Sequence, residues 1–218
     1  MAKIFVPTTG PEDWRRLLAD PIKHWKRGHS AMATALSWES AQGLPKEIAA
    51  ILGEESELLL AIPEHKVPLP GGIRDSQCDV FALVRTENAT CALAVEAKVN
   101  EPFGPTIGEW TKESSEGRHT RLKAICNLLG ANYPPSSELR YQLFHRAAAA
   151  AIEASRFNTD RSAMIIHSFS QDHRWFDDFS AFCEYLGIKA AKATPLSRVT
   201  ADGRAQVLGW ATGDPNFT

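Results

Sequence analysis

Three ionisable residues in this sequence could act together: Asp79, Glu96 and Lys98. They lie in or beside the stretches Cys78–Arg85 and Cys91–Val99, which are almost continuously apolar. Such stretches are typical of central strands that are covered on both faces. The short, polar connection between them predicts an antiparallel hairpin.

The register of this hairpin determines whether the three side chains meet. We expect its centre to fall between Glu87 and Asn88, which puts Asp79 directly opposite Glu96. Directly opposed side chains share a face of the sheet, with Cβ atoms about 5 Å apart. Lys98 follows Glu96 by two residues and therefore points to the same face. The sequence thus predicts two carboxylates and an amine on one face of an apolar hairpin.

The chemistry of this trio follows from its charges. Two buried carboxylates repel each other unless a proton or a cation lies between them. Oxygen ligands of this kind suit Mg²⁺ or Mn²⁺, which can activate a water and stabilise charge on a scissile phosphate. A neighbouring lysine can orient that water or neutralise the developing charge. The alternative is an internal salt-bridge cluster, which is costly to desolvate.

The elements around the hairpin predict the fold class. We expect an α/β protein whose mixed central β-sheet contains the antiparallel hairpin and is flanked by helices on both faces. A single domain is expected over residues 1–218, with a core at about 30–169. The predicted helices are Ser30–Ala41, Pro45–Leu52, a piece at Glu109–Ser114, Arg118–Leu129, Glu138–Phe157 and Trp175–Gly187. The further predicted strands are LLLAI at the start of Glu57–Pro68, Ser162–Phe169 and Gln206–Thr212.

An aspartate followed by a strand that carries Glu-x-Lys, in the order α-β-β-β-α-β, resembles the PD-(D/E)xK nuclease superfamily. The matching residues are Asp79 and Glu96-Ala97-Lys98, and the resemblance spans roughly Ser30 to Phe169. It implies the restriction-endonuclease-like fold, metal bound by Asp79, Glu96 and the backbone carbonyl of Ala97, and a water assisted by Lys98. Cys78 stands where the superfamily pattern has proline. The chain also resembles a small bacterial family without an assigned activity, through IPEHKVPLPGG, EAKVNEPFGP and LRYQLFHRAA.

The same resemblance implies two further groups of site residues. Members often add a glutamate from the first core helix, and Glu39 is the candidate because it ends an apolar stripe of Met32, Ala35 and Leu36. Many also place polar residues on the helix after the Glu-x-Lys strand. Here Gln142, His145 and Arg146 share one helix face and could reach a phosphate. The alternatives are a helix-end glutamate and a solvated helix face.

A second Glu-x-Lys, Glu64-His65-Lys66, is set aside because Pro63 and Pro68 bracket it and no hairpin partner supplies an aspartate. Glu64 or His65 could still add to the rim of the site.

The bulk properties limit the function classes. The net charge is −2, so nucleic-acid binding would have to come from local patches. Four widely spaced cysteines in apolar stretches predict buried thiols and no zinc site. The N-terminus lacks the pattern of a signal peptide, and no apolar run is long enough for a membrane span, so we expect a cytoplasmic protein.

Three functions remain open. The first is a metal-dependent phosphodiesterase, most directly a DNA nuclease, with Mg²⁺ or Mn²⁺ as cofactor and nucleic acid as partner. The second is a catalytically inactive binding or assembly module with a nuclease-like fold. The third is a hydrolase of small phosphate esters. No membrane partner is expected, and a homodimer is suggested only by analogy with restriction-like enzymes.

Overall fold

The computed structural model describes residues 8–112 and 116–218. The end of the predicted helical piece at Glu109–Ser114 lies outside these residues, and the helix observed there ends at Thr111. The helices are α1 (Pro21–His24), α2 (Ser30–Ala41), α3 (Lys46–Leu52), α4 (Ile107–Thr111), α5 (Glu116–Leu129), α6 (Tyr141–Arg156) and α7 (Phe176–Tyr185), and the strands are β1 (Glu57–Val67), β2 (Ser76–Thr86), β3 (Ala89–Lys98), β4 (Arg161–Ser168), β5 (Leu196–Val199) and β6 (Ala205–Thr212). Short 3₁₀ helices cover Pro11–Leu17 and Pro215–Phe217.

One six-stranded sheet organises the fold, in the order β1-β2-β3-β4-β6-β5. The first three strands form an antiparallel meander, β4 and β6 run parallel to β3, and β5 returns antiparallel to β6. This mixed sheet with flanking helices confirms the predicted fold class. The sequence prediction missed β5, because a four-residue strand with one buried side chain carries almost no periodic signal.

Helices cover both faces of the sheet. One apolar cluster joins α5, α6 and α7 to the sheet, and a second joins α2 and α3 to its other face. Helix α6 can approach β3 and β4 closely because the side chains of Ala147–Ala151 are small and buried. Ala94 belongs to the α6 cluster, so Glu96, two residues further along β3, faces the same layer.

Helix α2 has the predicted bounds, but the inward face differs from the predicted one. Ala35 and Trp38 are buried, whereas Met32, Leu36 and Glu39 are only half-buried. Trp38 is the largest side chain of the helix, so burying it removes the most apolar surface from water. Its orientation therefore sets the rotation of α2. The predicted inward stripe is correct for Ala35 and for Met32, which packs against the core, but Trp38 and not Glu39 completes the inward face.

Glu101 caps the N-terminus of α2. Its Oε1 accepts the backbone N–H of Ser30 at 2.7 Å, and its Oε2 accepts that of Val99 at 3.0 Å. Burial alone would raise the pKa of Glu101. The hydrogen bonds to its carboxylate together have the larger effect and hold the pKa below the ordinary value of 4.5. The carboxylate thus stabilises the junction between α2 and the end of β3.

We expect Glu101→Ala to lower the free energy of unfolding by about 1–2 kcal/mol near neutral pH. Because the folded-state pKa is depressed, this contribution is present above the unfolded pKa and disappears as the pH falls through the folded value. Urea denaturation near pH 7 and near pH 3 measures it. Glu184→Ala, an exposed change in α7, should shift stability by less than about 0.5 kcal/mol. An equal loss for Glu101→Ala at both pH values would contradict this assignment.

All four cysteines are buried and free, which confirms the prediction for the thiols. None of the helices within the described residues combines the length and the apolar composition that crossing a bilayer requires.

Candidate active site

The candidate site lies where β2 and β3 stop pairing. Their backbone ladder runs from Thr86 opposite Ala89 to Val80 opposite Val95, which confirms the predicted hairpin centre. Asp79 is the next residue beyond the last pair. Its carboxylate Oδ2 instead accepts the backbone N–H of Ala97 at 2.6 Å. A side chain thus takes the place of a backbone partner at the end of the ladder.

Glu96 is the centre of the polar cluster. Its side chain is 3% exposed, and both oxygens accept hydrogen bonds. Oε1 accepts from Lys98 Nζ and, at 2.7 Å, from Gln142 Nε2, while Oε2 accepts from Arg146 Nε. Burial raises the pKa of Glu96, but the charges of Arg146 and Lys98 outweigh it and lower the pKa to about 2. Glu96 is therefore a buried, ionised carboxylate held between two cations.

Glu64 completes a row of carboxylates across three adjacent strands. Pro63 pairs with Val80 and His65 with Cys78, so Glu64 lies opposite Asp79. Its backbone has a φ of 54°, a left-handed conformation that is uncommon for a glutamate within a strand.

The carboxylates of Glu64 and Asp79 share an environment that disfavours charge. Glu64 Oε2 accepts a hydrogen bond from Gln77 Nε2 at 2.6 Å. Burial and the nearby Glu96 carboxylate raise the pKa of Glu64 to about 7. Burial, Glu96 and Glu64 together hold the pKa of Asp79 well above its usual range. A cation next to these two groups would offset the repulsion.

Helix α6 supplies the other wall of the site. Arg146 Nη1 donates to Ser76 Oγ at 2.7 Å, and Ser76 Oγ also bonds to His145 Nδ1 at 2.8 Å. Burial, followed by the charge of Arg146, holds the pKa of His145 well below its ordinary value. Gln142 Oε1 accepts the backbone N–H of Gly104 at 3.1 Å, which ties the α6 wall to the loop after β3. All three predicted α6 residues therefore lie at the site, where they contact the protein's own groups.

Glu39 lies apart from this cluster. Its Oε1 accepts from Trp14 Nε1 at 2.7 Å and from Thr8 Oγ1 at 2.9 Å. Its helix, α2, packs on the sheet face opposite to α6. The structure thus brings Asp79, Glu96 and Lys98 together with the α6 residues, but it does not bring Glu39 to them.

Sequence reasoning undervalued three residues of the site: Glu64, Ser76 and Gln77. The assumption that Glu64-His65-Lys66 had no aspartate-bearing partner strand was wrong, because β1 pairs with β2 along its length. Strand β1 lies at the edge of the sheet. An edge strand can accommodate a residue without a backbone N–H, which explains why Pro63 is tolerated there. The second Glu-x-Lys segment, Glu64-His65-Lys66, was the feature of the sequence that could have identified Glu64 as a site residue.

Among the described residues, no three His, Cys, Asp or Glu side chains are already arranged as a metal-binding group. The donors on Glu96 explain this, because its oxygens face Lys98, Gln142 and Arg146. Asp79 and Glu64 each keep one carboxylate oxygen that makes no hydrogen bond within the described residues. These two oxygens are the donors available to a ligand.

The fold and the site define a mixed α/β protein with a cluster of carboxylates and cations at the edge of a β-hairpin. The chain belongs to the family described as a domain of unknown function, DUF6946, which it matches over residues 7–215. No curated protein and no solved structure matches it.

Proposed function

We propose that this protein is a metal-dependent phosphodiesterase of the PD-(D/E)xK type that cleaves nucleic acid, with DNA as the first substrate to test. The observation that carries the proposal is the meeting of Asp79, Glu96 and Lys98 at the point where β2 and β3 stop pairing. A buried lysine beside two carboxylates supplies the residue types that assist attack of water on a phosphate. Perturbed pKa values at such a cluster are a further mark of functional sites.

The donor set fits a hard divalent cation. Asp79 and Glu64 each offer a carboxylate oxygen to Mg²⁺ or Mn²⁺, and the carbonyl of Ala97 would be a further ligand. Glu96 would join them by exchanging a hydrogen bond from Lys98 or Gln142 for the metal. Magnesium commonly uses only one or two protein carboxylates and keeps several waters, so a full protein cage is not required. When bound, the metal would supply an activated water and stabilise negative charge on the phosphate.

The chain's other residues have distinct roles in this proposal. Lys98, 5% exposed, can orient the attacking water or neutralise charge at the phosphate. Arg146 is a positioning residue, because its hydrogen bonds within the described part of the chain go to Glu96, Ser76 and His145. The depressed pKa of His145 keeps it neutral near pH 7, so we assign it to holding Ser76 and Arg146 and not to charge pairing with phosphate.

Cleavage of DNA tests this function. Purified wild-type protein with Mg²⁺ or Mn²⁺ should convert supercoiled and linear DNA to shorter products, and EDTA should stop the reaction. Asp79→Asn keeps an oxygen that can accept the Ala97 N–H but removes the carboxylate charge, so it should lose cleavage. Asp75→Asn is the matched control, because Asp75 is exposed just before β2. Cleavage that survives in Asp79→Asn would reject the assignment.

A second candidate is a nuclease-like binding or assembly module without catalysis. It is favoured by one observation: the protein's own cations already neutralise Glu96. In that case Lys98 has only a structural role, no metal binds, and Lys98→Met is tolerated. Metal binding by the wild-type protein, lost in Asp79→Asn, separates the two candidates.

We place this activity in the cytoplasm. Four free, buried thiols and no disulfide among the described residues fit a reducing compartment.

A further inference from the structure

A basic cavity lies beside the candidate active site. It has a volume of about 320 Å³ and is formed by the connection between β1 and β2, the end of α4 and the start of α5. The described lining has three arginines and no carboxylate, which is unusual in a chain with net charge −2. The side chains that the inference uses are Arg74, Trp110, Arg118 and Arg121.

Arg121 is a buried cation that pairs with no acidic side chain within the described residues. The residue is 7% exposed, and its Nε and Nη1 donate to the backbone carbonyls of Pro70 at 3.3 Å and Arg74 at 2.8 Å. Its Nη2 is buried and has no hydrogen-bond partner within the described residues. A buried guanidinium that lacks a carboxylate is costly, and an anion in the adjoining cavity would offset that cost.

Two glycines shape the cavity around Arg121. A Cβ on Gly71, whose φ is +78°, would lie 2.6 Å from the backbone nitrogen of Arg121, and a Cβ on Gly72 would lie 2.7 Å from its Nη2. Only glycine lets the β1–β2 connection approach α5 so closely. The guanidinium is therefore fixed in place before any ligand arrives, which lowers the entropic cost of binding.

The cavity adjoins the active-site wall. The Trp110 ring stacks on Tyr141 of α6, with ring centroids 3.8 Å apart. Burial raises the pKa of Tyr141, and the nearby charge of Arg121 opposes that shift. Burial and the charge of Arg146 lower the pKa of His145, and the charge of Arg121 adds to this shift. His145 in turn bonds to Ser76, which bonds to Arg146. An anion in the cavity would thus lie next to the substrate of the carboxylate cluster.

We propose, resting on the function proposed above, that this cavity binds a backbone phosphate of the nucleic-acid strand, adjacent to the phosphate that is cleaved. Guanidinium groups bind phosphate oxygens with matched, often bidentate geometry. Phosphate contacts of this kind position a strand without reading its sequence. The cavity gives a weakly acidic protein a local attraction for a polyanion.

Binding in EDTA tests the cavity separately from catalysis. The probe is a short fluorescent DNA duplex, and the readout is anisotropy at several salt concentrations. Arg74→Glu, an exposed change on the rim, should weaken binding about tenfold and lower the salt slope by about 1. Lys123→Glu makes a comparable charge reversal on the same helix, about 200° around from Arg121, and should stay within about twofold of the wild type.

Each outcome decides the inference. Selective weakening in Arg74→Glu supports it, whereas equal weakening in Arg74→Glu and Lys123→Glu, or no binding by the wild type, overturns it. If inorganic phosphate binds the wild type and not Arg74→Glu while the duplex binds neither, the ligand is a small phosphate ester and the nucleic-acid assignment fails. Selective DNA binding without cleavage in Mg²⁺ would retain the cavity and reject the catalytic proposal. If the wild type cleaves DNA and Arg74→Glu binds DNA as well as the wild type does, the catalytic proposal is retained and the role of the cavity is rejected.

Discussion

Arg146→Met should lower the free energy of unfolding by about 3–5 kcal/mol, because it leaves the buried Glu96 carboxylate without its main counter-charge. Glu96 would keep its hydrogen bonds from Lys98 and Gln142, both on Oε1, but Oε2 would lose its donor and Ser76 Oγ would lose one at 2.7 Å. Denaturant unfolding measures the loss.

In the folded protein the pKa of Glu96 is lowered to about 2. The stabilisation from its ion pairs is therefore complete above the unfolded-state pKa and is lost as the pH falls from there towards 2. Arg146 also lowers the pKa values of Glu64 and Asp79, so its removal raises both and the loss should be larger near pH 8 than near pH 6.

Two further variants isolate the cause. Arg156→Met makes the same substitution on the same helix at a side chain that is 63% exposed, and it should change stability by less than about 1 kcal/mol. Glu96→Gln combined with Arg146→Met and Lys98→Met removes the carboxylate together with both of its cations and should recover much of the lost stability. A cost below about 1 kcal/mol for Arg146→Met alone would show that the pair does not hold the site together.

Lys98→Met is expected to reduce the rate of DNA cleavage by about 100- to 1000-fold, the usual effect of losing a group that stabilises transition-state charge. Methionine keeps most of the packing of the lysine stem near the Phe103 ring, which lies 5.2 Å from Nζ. Arg146 still holds Glu96, so the fold and the metal affinity should remain. Initial rates at saturating Mg²⁺, together with an Mn²⁺ affinity, separate chemistry from metal binding.

Lys66→Met is the matched control for this variant. Lys66 is the lysine of the second Glu-x-Lys, but it is exposed on the edge strand β1. Its replacement should leave the cleavage rate within about twofold, as for an ordinary surface change. An equal loss in both variants, or full activity in Lys98→Met, would contradict the role given to Lys98.

The hairpin could be predicted from sequence because its determinants are local. Two apolar runs and a short polar connection fix β2, β3 and their register, and the register places Asp79 next to the Glu-x-Lys segment. Glu64 was harder to place. Proline lowers strand expectation, and only the position of β1 at the edge of the sheet makes Pro63 acceptable.

The state of the α6 residues could not be read from helical spacing. Gln142 and Arg146 share a face in any helix, but that face is buried only because Glu96, far away in sequence, supplies the acceptor. A solvated helix face and a buried ion pair therefore have the same local pattern. The rotation of α2 is a similar case. Trp38 and Met32 both contact the core cluster on that face of the sheet, and the packing against the sheet makes Trp38 the more deeply buried of the two.

The most direct measurement of the central claim is a calorimetric titration of Mn²⁺ into the wild-type protein, Asp79→Asn and Asp75→Asn. We expect binding by the wild type and by Asp75→Asn, and its loss in Asp79→Asn, because Asp79 offers a carboxylate oxygen that makes no hydrogen bond within the described residues. A folded wild-type protein that binds no Mn²⁺, in the absence and in the presence of DNA, would contradict the phosphodiesterase assignment and leave the cluster as an internal ion network.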